Sequence, residues 1–347
     1  RDASRYEEAS KIIGKALELR PDYTTAITNL AALTLDYFED FQGAINLCEK
    51  ALELDSGSVQ AQTNLGSAFF AAKDYSRARP ILEMCKDKAS VAKRIESLYH
   101  LGKKEQFLCE LKEQNLVDKG NIRLAAVSHF VSKEYGVPDP YPFCREPLKF
   151  FKAGHLSNHV DDVDEFTQEV LESLETADTQ WEPLHRTTRF GFQSKGDLFS
   201  GKLDVLTRLE GIIRDELQSY LEEFRGGSSD FIFRNWPESY RLKAWSVSLL
   251  KGGFQQPHIH ASGWVSGVVY LKPEKIEASN GGALRLGKPD VGLPDNSPDH
   301  LIHGPRKGDI VIFPSSLHHD TIPFESDSER VCIAFDMIRS RDNGAVE

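Results

Sequence analysis

The first third of the chain repeats itself, and this limits how it can fold. Tyr6-Glu7-Glu8-Ala9 returns as Phe41-Gln42-Gly43-Ala44 and again as Tyr75-Ser76-Arg77-Ala78. Lys15-Ala16-Leu17-Glu18-Leu19 returns as Lys50-Ala51-Leu52-Glu53-Leu54, and Asn29-Leu30-Ala31 as Asn64-Leu65-Gly66. The period is 35 residues, then 34. Repeats of that length stack into a solenoid, each unit closing the core of its neighbour. Each unit reads as two amphipathic helices, with Pro21-Asp22 and Asp55-Ser56-Gly57-Ser58 supplying turns and caps. Ala9, Ala16, Ala44 and Ala51 stand where helices must approach closely.

Period and pattern resemble tetratricopeptide repeats over residues 5–88. The helical pattern continues to Tyr135 through Ile95, Leu98, Leu101, Phe107, Leu111, Leu124 and Phe130, but the signature fades after about residue 90. Residues 1–135 are therefore expected to form an all-α repeat domain with degenerate closing helices. The array is entered partway, so further repeats are expected before Arg1. Such an array implies a groove for a protein or peptide, or a homodimer surface. A scaffold that merely stacks on the next domain is the plainer reading.

Gly136-Val137-Pro138-Asp139-Pro140-Tyr141-Pro142 stops the helices, since three prolines in five residues cannot continue one. Residues 136–150 read as a stiff linker. Beyond it, Val163, Phe166, Val170 and Leu174 fall at helical spacing, as do Leu206, Leu209, Ile213, Leu217, Leu221 and Phe224. The period then changes. Residues 241–250, 265–271, 282–286, 308–313 and 331–337 read as short strands between Gly, Pro, Asn and Asp, the pattern of an antiparallel sandwich or jelly roll. The preceding helices would brace one sheet from outside. The fold class is thus α+β and multidomain, with the β-domain over residues 151–347.

Charge and cysteine content narrow the partners. The 347 residues carry a net charge of −11 with no long basic run, which argues against nucleic acid or an anionic membrane surface. No apolar run is long enough to span a bilayer. Five scattered cysteines without a CxxC suit a reducing compartment, and a cytoplasmic location is expected.

The chemistry gathers in the strand region. Gly252-Gly253-Phe254-Gln255-Gln256-Pro257-His258-Ile259-His260 leads into Val265-Ser266-Gly267-Val268-Val269-Tyr270-Leu271. On a strand, i and i+2 share a face, so two imidazoles can converge on one cation. A third histidine follows Gly308-Asp309-Ile310-Val311-Ile312-Phe313-Pro314-Ser315, within Leu317-His318-His319-Asp320, and Arg330 comes eleven residues after His319.

On these residues, with Trp245-Ser246-Val247, Gly281-Gly282-Ala283-Leu284 and Glu329-Arg330, residues 143–340 resemble the Fe(II)/2-oxoglutarate-dependent oxygenase superfamily. Within it they resemble the bacterial-type branch in which such a domain follows tetratricopeptide repeats. The resemblance implies a double-stranded β-helix, Fe(II), 2-oxoglutarate as cosubstrate and O2. It assigns His258 as first metal ligand and His319 as the distal one, His318 pointing to the opposite face. Arg330 grips the far carboxylate of 2-oxoglutarate, for which a planar guanidinium fork is suited. Tyr270 adds a hydrogen bond to the same carboxylate.

Two positions depart from that pattern. His260 stands where most of the superfamily has Asp or Glu. Either it is a third histidine ligand, or it lies outside the ligand set and water takes that place. The nearest carboxylate in sequence, Asp320, directly follows His319 and a strand would turn it away. Cys332 stands where a serine or threonine often helps bind the cosubstrate. The expected activity is that of a 2-oxoglutarate-dependent hydroxylase whose repeats recruit a protein or peptide. The alternatives are a repeat interaction protein with an inactive barrel, and a three-histidine dioxygenase that does not use 2-oxoglutarate.

Overall fold

A computed structural model describes residues 2–340, apart from 37, 184–185, 202, 275–279, 290–291, 294 and 296–299. It divides into two compact units, Arg1–Leu124 and Ala125–Glu347. The first unit is helical throughout: α1 (Asp2–Leu19), α2 (Thr24–Asp36), α3 (Phe41–Leu54), α4 (Val59–Ala71), α5 (Tyr75–Leu82), α6 (Lys88–His100) and α7 (Lys104–Val117). Helix α8 (Ile122–Tyr135) runs across the division.

The caps repeat with the sequence. Asp40, Ser58, Asp74 and Asp87 each accept a hydrogen bond from the backbone N–H three residues on, and so start α3, α4, α5 and α6. The small residues lie between helices: Ala44, Ala51, Ala61, Ala68 and Ala78 are fully buried. At Gly66 of α4 an added Cβ would stand 2.6 Å from Leu82 Cδ2 of α5, so the approach of these helices depends on the missing side chain.

The second unit opens with the proline-rich stretch. Where the sequence suggests a linker over 136–150, Tyr141, Phe143 and Cys144 are buried. Phe143 packs edge-on to Trp264 at 5.0 Å, and its carbonyl accepts from Ile232 N at 3.1 Å. The prolines set the extended path, but the aromatic residues among them supply apolar area that fixes it to the core.

The remaining elements are β1 (Lys152–His155), α9 (Val163–Leu174), β2 (Thr179–Trp181), β3 (Thr188–Ser194), α10 (Asp204–Arg225), α11 (Phe231–Arg234), β4 (Tyr240–His258), β5 (Val265–Lys272), β6 (Leu284–Leu286), β7 (Leu301–His303), β8 (Asp309–Pro314), β9 (His319–Thr321) and β10 (Arg330–Arg339). All strand pairs are antiparallel, in the order β1-β8-β5-β10-β4-β9-β6-β7, with β3 also on β4 and β2 on β3.

Strand β4 explains how the sheet curls. Its first part pairs with β10 and β3, and its end pairs with β9 through Gln255↔Thr321 and His258↔His319. The sheet thereby folds over an interior made by Val247, Leu249, Val268, Tyr270, Leu284, Leu286, Val311, Phe313 and Cys332. Helix α10 buries Leu209, Ile213, Leu217 and Tyr220, and Tyr220 Oη donates to Phe150 O at 2.8 Å. This jelly-roll arrangement agrees with the expected fold class. No helix among the described residues is long and apolar enough to cross a membrane.

Candidate metal centre and anion pocket

The end of β4 and the start of β9 bring three imidazoles together. Their ring centroids are 4.3 Å (His258–His319), 4.9 Å (His260–His319) and 5.1 Å (His258–His260) apart. One ligand atom from each lies within 4.8 Å of the others. Trp245 and Phe313 wall the cluster, at 5.4 Å from His260 and 4.7 Å from His319.

Hydrogen bonding fixes which nitrogen of each ring faces inward. His258 Nδ1 lies 2.7 Å from Gln256 O, and His319 Nδ1 lies 3.0 Å from Leu317 O. A carbonyl only accepts, so each Nδ1 carries the proton and each Nε2 keeps its lone pair. His260 Nδ1 lies 2.5 Å from Asp336 Oδ1, with the same consequence. His258 Nε2 and His260 Nε2 then face each other at 3.2 Å with no proton between them. Two lone pairs at that distance repel unless a cation lies between, so the donor set fits a metal ion.

The protonation of these rings follows from their burial. Burial lowers the His258 pKa to about 3, helped by the adjacent His260. Burial also holds His319 well below the ordinary imidazole value, with His258 and His260 adding to the effect.

His318 and Asp320 turn away from the cluster. His318 packs edge-on to Phe130 at 5.0 Å, and Asp320 pairs with the Arg285 guanidinium, 3.0 Å from its Nε. The carboxylate that touches the cluster is Asp336, which sequence reasoning overlooked. It lies 76 residues from His260 and reaches it only through strand pairing. One signal was available: a lone carboxylate inside the apolar run Val331-Cys332-Ile333-Ala334-Phe335-Asp336-Met337.

A second polar group opens on the same interior. Arg330 at the start of β10 is only 1% exposed. Its Nε donates to Gly282 O at 3.0 Å, Nη1 lies 3.5 Å from Cys332 Sγ, and Cζ sits 5.1 Å over the Tyr270 ring. Among the described residues no carboxylate lies within ion-pair distance of this guanidinium. Tyr270 Oη, fully buried, has no hydrogen-bond partner there either. Burial raises the pKa of Tyr270 and of Cys332 against the lowering effect of Arg330, so both are neutral at ordinary pH. A buried cation beside an unused hydroxyl fits an organic carboxylate. Phe313 joins the two features, since it touches His319 and shares the core with Tyr270 and Cys332.

The other histidines serve structure where they are described. His155 bonds Lys307 O, His159 bonds Glu216, and His100 stacks on Tyr75. His185 lies outside the described residues, as does part of the loop between residues 288 and 305.

Comparison with known proteins gives two family matches. Residues 243–336 match the model described as putative 2OG-Fe(II) oxygenase, and residues 38–98 match the tetratricopeptide repeat. No curated protein matches the chain. Among solved structures, a Pseudomonas putida prolyl-4-hydroxylase aligns at 18% identity over 55% of this chain and 92% of that one, with a TM-score of 0.40. HygX from Streptomyces hygroscopicus, with nickel and 2-oxoglutarate bound, aligns at 15% identity over 57% and 87%, with a TM-score of 0.40. A Trichoplax adhaerens prolyl hydroxylase in complex with a hypoxia inducible factor peptide fragment aligns at 16% identity over 63% and 90%, with a TM-score of 0.38.

Proposed function

We propose that this chain, whose residues 243–336 match the family described as putative 2OG-Fe(II) oxygenase, is a 2-oxoglutarate-dependent hydroxylase that holds Fe(II) on three histidines. The observation carrying the reading is three histidines whose ligand atoms lie within 4.8 Å of one another, each ring held by an acceptor at its Nδ1. When bound, Fe(II) and 2-oxoglutarate together supply O2 activation, coupling decarboxylation of the oxo acid to succinate with insertion of oxygen into a C–H bond.

The residues of the chain bind and orient. His258, His260 and His319 are the ligands. Arg330 receives the far carboxylate of 2-oxoglutarate in a charge-assisted contact, and Tyr270 Oη donates to the same group. Cys332 lies under the guanidinium and supports it as an acceptor. Phe313 and Trp245 keep water from the rings. The repeat unit recruits the protein or peptide that is oxidised. The five free cysteines suit the cytoplasm.

The test is an anaerobic titration of the full chain with Fe(II) and 2-oxoglutarate. A visible charge-transfer band is expected, lost in His319→Ala and needing far more 2-oxoglutarate in Arg330→Ala. No band from the wild type overturns the reading. O2 uptake that ignores 2-oxoglutarate would move the protein to the three-histidine dioxygenases.

A further inference from the structure

Three neutral imidazoles leave the full charge of a divalent cation inside a mostly buried site. Such a charge is costly unless something near it is negative. The negative group in contact with the cluster is Asp336, 6% exposed, held on the far side of His260.

Three strands hold this contact. Asp336 lies on β10, opposite Ser266 of β5 and Lys243 of β4. Its Oδ1 accepts from His260 Nδ1 at 2.5 Å and from Ser266 Oγ at 2.7 Å. Ser266 has then used its proton, so the 2.7 Å contact with Ser315 Oγ is a donation from Ser315. Ser315 O accepts from His260 N at 3.2 Å, which closes the loop on the backbone of the same histidine. Gly263 leaves room for the network: a Cβ there would stand 2.5 Å from Ser315 Oγ and 3.1 Å from Asp336 Oδ1. The other two imidazoles rest on neutral carbonyls, so His260 alone is paired with a charge.

We propose that Asp336 is a positioning residue that makes His260 the anionic arm of the site, its negative charge reaching the metal through the imidazole. A carboxylate on Nδ1–H draws that proton toward itself and raises electron density on Nε2. His260 and Asp336 together then supply what one directly bound carboxylate would supply. The inference rests on the three-histidine reading and adds a division of labour within it: His258 and His319 donate as neutral imidazoles, His260 as a partial imidazolate. Ser266 donates to Asp336 and is itself held by the donation from Ser315, which fixes the carboxylate against His260.

The test compares metal affinity in two backgrounds. Asp336→Asn keeps an acceptor at nearly the same shape and removes the charge. In the wild-type chain it is expected to weaken Fe(II) and Co(II) binding 10- to 100-fold, measured by anaerobic calorimetry. It should also move the charge-transfer band of the Fe(II) and 2-oxoglutarate complex to shorter wavelength, because the metal becomes less electron-rich. In His260→Asp the ligand itself carries the charge, and Asp336 becomes a repelling neighbour. There Asp336→Asn should leave the affinity unchanged or raise it. An equal loss in both backgrounds, or an unmoved band, makes Asp336 a fold residue and overturns the proposal. Thermal unfolding of the metal-free variants checks that each chain folds. Failure of the wild type to bind either metal would instead remove the three-histidine reading itself.

Discussion

Among the described residues, Arg330 is a buried cation without a carboxylate partner and Tyr270 a buried hydroxyl without a hydrogen-bond partner. Groups of this kind lower the stability of the unliganded protein and raise its affinity for the right anion, so their removal should have effects of opposite sign. Tyr270→Phe deletes a buried hydroxyl without a partner. The unliganded protein is expected to gain about 1 kcal/mol in urea unfolding, while 2-oxoglutarate binds several-fold more weakly. Arg330→Met removes a buried charge and keeps the aliphatic stem. Its unliganded form should be at least as stable as wild type, yet 2-oxoglutarate affinity should fall about 30-fold or more, the cost of about 2 kcal/mol for losing a charged partner. Loss of stability in both variants would mean that the two side chains serve packing rather than a ligand. The sequence shows His258, His260, His319 and Arg330 because they sit in short motifs beside strand patterns. It hides Asp336 because a strand carboxylate becomes legible only when pairing to β4 and β5 brings it to His260.

Among the elements, those with a full period are visible in the sequence. Helix α10 shows its face through Leu206, Leu209, Ile213 and Leu217, and β5 and β10 show theirs as apolar runs. Strands β2 and β7 have three residues each and helix α11 has four, too few for any period to emerge. Pairing partners specify the two strands instead: β3 for β2, and β6 for β7. Close packing of elements gives a prediction of graded size. At Gly267 of β5 an added Cβ would meet Val311 O at 2.4 Å and Phe335 Cζ at 2.2 Å. A backbone oxygen in a paired strand cannot move aside, so Gly267→Ala should cost about 3 kcal/mol. At Gly66 the obstacle is the Leu82 side chain, which can rotate, and Gly66→Ala should cost about 1 kcal/mol. Urea midpoints of the two variants check the order. Equal losses would mean that the β5–β8 spacing is as adaptable as the α4–α5 contact.

For the molecule as a whole, buried imidazoles make the β-unit acid-sensitive well above the range where carboxylates matter. Burial lowers His258 to about 3 and His129 to about 4, the latter aided by Lys133, and holds His319 well below its ordinary value. In the unfolded chain each titrates near 6.5. Below that pH the unfolded chain binds more protons than the folded one. The stability carried by these residues is therefore complete above about 6.5 and is lost as the pH falls toward their folded values. The slope is up to about 1.4 kcal/mol per pH unit for each ring. Burial alone would raise the Glu96 carboxyl, but Arg123 and His100 outweigh it and hold the group below the ordinary glutamate value. Its stabilisation is lost only at lower pH, below the range in which the histidines of the unfolded chain titrate. The four tryptophans, Trp181, Trp236, Trp245 and Trp264, all lie in the second unit, so their fluorescence follows that unit alone. Urea midpoints of the metal-free protein should fall steadily from pH 7 to pH 5, and His129→Gln should make the slope shallower by about a third. A flat profile would mean that these rings accept protons without unfolding the barrel. A bound divalent cation should raise stability at pH 7 by occupying lone pairs that protons would otherwise seek. That gain should persist over the same range, because His258 and His319 keep their lone pairs in the folded chain there, while protons on the unfolded chain only weaken any competing binding to it.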